Sequence, residues 1–136
     1  RSGSVTGVQT CALPIYTDLD KESIFAATKE LLSSRRKPTA IITFNDYVAL
    51  DAVKYARSLK LRINKDICFV SYANEPLNNY TAFPPLASVE QFPYLQGQKA
   101  AETLLELINK KESDTDNNHT YYKIILESQL MLNGNK

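Results

Sequence analysis

Apolar and polar positions alternate along this chain in two distinct periods. Between residues 18 and 34, Ile24, Phe25, Thr28, Leu31 and Leu32 recur at helical spacing, and Asp18 and Asp20 supply capping and first-turn negative charge. Residues 39–44 then form a short apolar run of buried-strand length, opened by Pro38. The helical period returns in Val48, Ala49, Ala52, Val53 and Ala56, predicting a helix over 46–59. A connection at 61–66 leads to a second apolar strand over 67–72. Alternating helices and short apolar strands predict an α/β fold with a parallel sheet, flanking helices and right-handed crossovers.

The pattern then changes. Pro76, Pro84 and Pro85 with Asn74, Asn78 and Asn79 make residues 73–85 a long loop, which in a compact domain usually serves function. Residues 86–91 read as an extended segment. Pro93 suits a helix start, and Gly97, Ala100, Ala101, Leu104, Leu105 and Ile108 mark one apolar face of a helix over 93–110. A polar stretch around 111–118 precedes a final strand over 121–132. The one histidine, His119, falls in the polar segment DTDNNHT and reads as a loop residue rather than a catalytic base.

The most informative stretch is KPTAIITFND at 37–46, a strand that runs straight into a polar helix start. In open α/β sheets, ligands bind at the carboxyl ends of parallel strands, where such turns sit. Asn45 and Asp46 are therefore candidate ligand contacts; either can also cap the helix, the cap leading for Asp46 and the contact for Asn45, and the two roles can coexist. Asn74 and Glu75 follow the second strand, and the plain reading of Asn74 is turn stabilisation.

Composition narrows the classes. The chain has 136 residues, 43% hydrophobic and 23% charged, enough for one domain with a core. Sixteen basic and fifteen acidic side chains give a net charge of +1, so a basic stripe for DNA is missing, and Arg35-Arg36-Lys37 is only a short cluster. No stretch is long and apolar enough for a membrane helix. Cys11 and Cys68 share no metal or redox spacing, and Cys68 reads as a buried small hydrophobe. No nucleophile elbow, phosphate loop or metal-ligand spacing is present, so neither enzyme chemistry nor a cofactor is expected.

Residues 1–15 match nothing in the pattern that follows. VTGVQTCALPI, at 5–15, resembles the translation of a sequencing-library adapter, which implies an artefactual segment and a gene that starts further upstream.

Three ordered blocks carry a family resemblance: KPTAIITFNDYVALDAVKYA, DICFVSYANEP and PPLASVEQFPYLQGQKAAETLLELI. They resemble the effector-binding domain of lactose-repressor (LacI/GalR) transcription regulators. That resemblance implies a periplasmic-binding-protein-like fold of two lobes with a sugar-like small molecule held between them. It implies that 16–85 and 121–132 belong to the second lobe, that 86–91 cross between lobes, and that helix 93–110 packs on a first lobe absent from this chain. It further implies a cytoplasmic homodimer that meets operator DNA only through a helix-turn-helix lying outside the chain. The family places an aspartate after the aromatic at the second strand end; here Ala73 stands instead, so that contact is lost or passes to Asn74 or Glu75. The alternative is a periplasmic sugar-binding protein of a transport system, and a third reading is an enzyme on a related α/β sheet.

Overall fold

The structure, a computed structural model, describes residues 15–111 and 123–133. Residues 1–14, the polar segment with His119 and the first residues of the expected final strand lie outside the described residues. Seven regular elements follow in order: helix α1 (Lys21–Ser33), strand β1 (Ala40–Ile42), helix α2 (Asp46–Ser58), strand β2 (Cys68–Tyr72), strand β3 (Ala87–Glu90), helix α3 (Pro93–Lys111) and strand β4 (Gln129–Leu132). A 3-10 turn, Pro76–Asn79, sits inside the long loop.

Helix α1 begins at Asp20, whose carboxylate accepts the Ser23 N–H at 2.8 Å. The helical period of the sequence becomes burial: Ile24, Thr28 and Leu32 of α1, and Ala49, Ala52, Val53 and Ala56 of α2, are buried. The small side chains of α2 let it lie close against β2. Ile41, Ile67 and Phe69 complete one core with these helices, and Phe69 has no exposed surface.

The sheet runs β1-β2-β3-β4. Strands β1, β2 and β3 are parallel, with Ile41 opposite Phe69 and Ser71 opposite Ser88. At the edge of this parallel sheet β4 pairs antiparallel with β3, Ser88 opposite Met131. The strand expected over 121–132 is also shorter, because residues 123–128 hold no ladder before Gln129.

Parallel sheets are normally covered on both faces. Here α1 and α2 cover one face, and Ile42 on the other is 73% exposed. Cys68 shares that open face and is half-buried, so it is not the buried hydrophobe its neighbours suggested. Leu104, Leu105 and Ile108 of α3 also stand more than half exposed.

Between α2 and β2 the chain turns through Lys60 and Asn64, both at positive φ. Asp66 closes this turn: its carboxylate accepts the Arg62 N–H at 2.7 Å and the Arg62 guanidinium at 2.6 Å. Those hydrogen bonds from Arg62 hold the Asp66 carboxyl at about 2, below the ordinary 3.8. A depressed carboxyl contributes stability that is present above the unfolded value and is lost as pH falls through the folded one. The contribution should therefore be complete above 3.8 and vanish toward about 2. Thermal melts of the wild type and Asp66→Asn across that acid range should converge as the pH falls, the variant being the less stable only at the upper end.

Candidate functional site

The carboxyl ends of the parallel strands meet at the turn between β1 and α2. Thr43 extends the ladder by donating its N–H to the Val70 carbonyl at 2.9 Å, and its hydroxyl donates to the Asn45 carbonyl at 3.1 Å. Asn45, extended at φ −154° and ψ 177°, is the N-cap of α2; its side-chain oxygen accepts the Val48 N–H at 2.9 Å. The cap that the sequence suggested for Asp46 thus belongs to its neighbour. Once Asn45 caps the helix, Asp46 becomes its first residue and its side chain is free to turn inward.

Asp46 is wholly buried and its carboxylate receives donors from three places. The Ser71 hydroxyl of β2 donates to Oδ1. The Ser88 hydroxyl of β3 reaches both oxygens, at 3.1 and 3.3 Å. The Glu75 N–H of the loop after β2 donates to Oδ2 at 2.7 Å. Ser71 and Ser88 face each other in the β2–β3 register and are themselves fully buried. Burying a carboxylate is affordable only when it is this fully hydrogen-bonded. One side chain therefore fastens two strands and the loop after β2 to the start of a helix.

The loop after β2 is pinned as tightly. Ala73 N–H donates to the Val89 carbonyl at 3.0 Å, and Asn74 N–H donates to the Ser88 hydroxyl at 2.9 Å. The Asn74 amide donates to Glu90 at 3.0 Å, and the same carboxylate accepts the Phe92 N–H at 2.7 Å. These bonds, that from Asn74 foremost, hold the Glu90 carboxyl below its ordinary range. Ala73 is forced to φ 92° and Asn74 to φ 50°. Asparagine tolerates that left-handed region, whereas alanine is strained there.

Above this bracing opens a cavity of about 550 Å³. Phe44, Tyr47 and Tyr72 supply aromatic walls and are 71%, 59% and 42% exposed. Asn45, Glu75 and Gln91 supply polar atoms, and Ala73 offers only a methyl group. Of the four residues singled out from sequence, Asn45 and Glu75 line the cavity. Asp46 and Asn74 stand behind it, with their polar atoms engaged inside the protein. Phe44, Tyr47, Gln91 and the two serines are not marked out by the sequence pattern. The serines did leave a signal, a lone small polar residue in the apolar run ICFVSY and another in LASVE, both at inward positions of a period-two pattern.

A second cavity, of about 660 Å³, lies between α3 and residues 124–126. Its one basic group, Lys99, is paired with Glu102 at 2.6 Å, and it gathers no strand-end polar groups. Among the described residues, no three His, Cys, Asp or Glu side chains are grouped to hold a metal ion, and no helix is long and apolar enough to cross a membrane.

An open α/β sheet with a cavity at its strand ends defines a ligand-binding lobe. The family model of the periplasmic binding protein-like domain matches residues 5–125, and this chain belongs to that family. That match takes in most of the segment at 1–15 set aside above. More narrowly, it is part of an effector-binding domain of the LacI/GalR type. It is 39% identical over 92 residues to the HTH-type transcriptional repressor PurR of Vibrio vulnificus, covering 68% of this chain and 27% of that protein. A LacI family transcriptional regulator from Enterococcus faecalis V583 with bound ribose superposes with a TM-score of 0.70 at 27% identity, over 86% of this chain and 40% of that one. The transcriptional regulator CelR–cellobiose complex superposes with a TM-score of 0.71 at 26% identity, over 86% and 34%. The chain thus spans well under half the length of these relatives.

Two substitutions probe the site. Asp46→Ala leaves two buried hydroxyls and one N–H without their acceptor and should lower unfolding free energy by about 3 kcal/mol, measured by denaturant titration. Ala73→Gly relieves the left-handed strain and should raise stability by about 0.5–1 kcal/mol in the same assay.

Proposed function

We propose that this chain is the ligand-sensing part of a LacI-type DNA-binding transcription regulator, responding to a sugar-like small molecule. The observation that carries this reading is the aromatic and amide-lined cavity at the strand ends, held open by the Asp46 network. Pockets of this kind combine apolar walls with a few placed polar groups. Asn45 and Glu75 contact the ligand, with Gln91 beside them, while Asp46 and Asn74 keep the walls in place. The similar regulators solved with ribose and with cellobiose support a sugar-like effector. The relatives named as transcription regulators favour that role over an exported transport protein, which would use a similar cavity.

On this reading the ligand draws two lobes together and shifts the balance between DNA-competent and released forms of a homodimer. Operator DNA is bound by a helix-turn-helix outside this chain, in the cytoplasm. The ligand role is tested by a thermal-shift screen of this chain against small sugars and nucleosides. At least one sugar should raise the melting temperature, and Tyr72→Ala should weaken its binding about ten-fold, the loss of one stacked ring of about 1.4 kcal/mol. A screen without any stabilising sugar, or one in which Tyr72→Ala leaves the stabilisation intact, would overturn the reading.

A further inference from the structure

The charges around the strand-end cavity are lopsided. Glu75 is the one ionisable carboxyl in its lining, and none of the lining residues is Lys, Arg or His. The helix α2 begins at this rim, and helix N-termini commonly attract anions. At that end Asn45 already accepts the Val48 N–H with its side chain, and its carbonyl accepts the first intrahelical bond from the Ala49 N–H. Asp46, in the first turn, sets a carboxylate directly against the helix dipole. An anion entering the cavity would therefore meet the Glu75 carboxylate in its lining, with that of Asp46 buried behind the wall, and would shed its hydration without a lining cation as partner. The walls point the same way. Phe44, Tyr47 and Tyr72 present ring surface to which the C–H face of a pyranose or furanose can be laid, with Asn45, Glu75 and Gln91 left to meet its hydroxyls.

Resting on the ligand-sensing role proposed above, we infer that this half-site selects uncharged sugars and rejects their phosphorylated or carboxylated counterparts. The feature responsible is the acidic, cation-free lining in which Glu75 carries the one charge.

The test is a titration of the full 136-residue chain, labelled with nitrogen-15, against matched probes: ribose and ribose phosphate, and methyl glucoside and glucose phosphate. At least one neutral sugar should shift the amide signals of Phe44, Asn45, Tyr72 and Glu75. Its phosphate should bind at least about ten-fold more weakly, a difference of about 1.4 kcal/mol. Glu75→Gln should narrow that gap several-fold by strengthening the phosphate. A phosphate that binds as tightly as its neutral partner, or a gap unchanged in Glu75→Gln, would overturn the charge selection while leaving the cavity a ligand site. If none of the four probes moves those amides, the selection and the sensing role proposed for the cavity fall together.

Discussion

Everything at the strand ends depends on one buried carboxylate. Asp46 has no exposed surface, and it gathers donors from β2, β3 and the loop that follows β2. Backbone ladders already join neighbouring strands, but they end where the strands end. The loops beyond are free to splay unless something crosses between them. A carboxylate offers several acceptor positions within a small volume, so it can satisfy two hydroxyls and an N–H at once. Its desolvation is offset because every donor is supplied by the protein. The cavity walls are the immediate sequence neighbours of this network: Asn45 and Tyr47 flank Asp46, Tyr72 follows Ser71, and Glu75 donates to the carboxylate itself. A ligand would meet a surface whose shape is fixed from behind, which lowers the ordering cost of binding.

How much of this could be read from the sequence depended on how local each cause was. Helices α1 and α2 were legible because their burial repeats every three to four residues, and Ile24, Thr28, Leu32, Ala52, Val53 and Ala56 fall on that repeat. The strands β1 and β2 were legible from apolar runs between turn signals. The Asn45–Asp46 turn stands out in the sequence, but the helix cap expected of Asp46 is made by Asn45, which also lines the cavity, while Asp46 turns inward. Both side chains cap helices well, and only the burial of Ser71 and Ser88 beneath the turn decides which one points inward. That information lies 25 and 42 residues away in sequence. Gln91 and the aromatic walls were hidden for the same reason, since a cavity is assembled from chain segments that sequence patterns describe one at a time. The antiparallel β4 is a further case. Residues with strand-like composition at 123–128 do not pair, and the ladder with β3 begins only at Gln129.

The two ends of the chain differ in how they are stabilised. The α1, α2, β1 and β2 unit has a contiguous core in which Phe69, Ala49 and Ala56 lose all exposure. Helix α3 has no comparable support, and Leu104, Leu105 and Ile108 keep more than half their surface in water. Each such leucine or isoleucine forgoes roughly half of the ~1.5–3 kcal/mol that burial of the whole side chain contributes. An amphipathic helix of 19 residues with its apolar face open is held mainly by its own backbone and by pairs such as Lys99–Glu102. Exposed pairs of that kind contribute little. Local opening should therefore be easiest at α3 and hardest at the strands beneath α2.

This unevenness bears on how a sensing domain of the proposed kind would work. On that reading the cavity is a half-site: Phe44, Tyr47 and Tyr72 are substantially exposed, and a ligand laid on them would be met from one side only. A rigid half-site alone gives a ligand little to discriminate between open and closed forms, because its shape is the same in both. Coupling arises when a second surface completes the enclosure, so that the ligand interacts more favourably with the closed form than with the open one. The stiff Asp46 network then matters as a fixed abutment. A wall that yielded on contact would spend part of the binding free energy on rearranging itself, whereas a braced wall leaves that free energy to move one lobe relative to another.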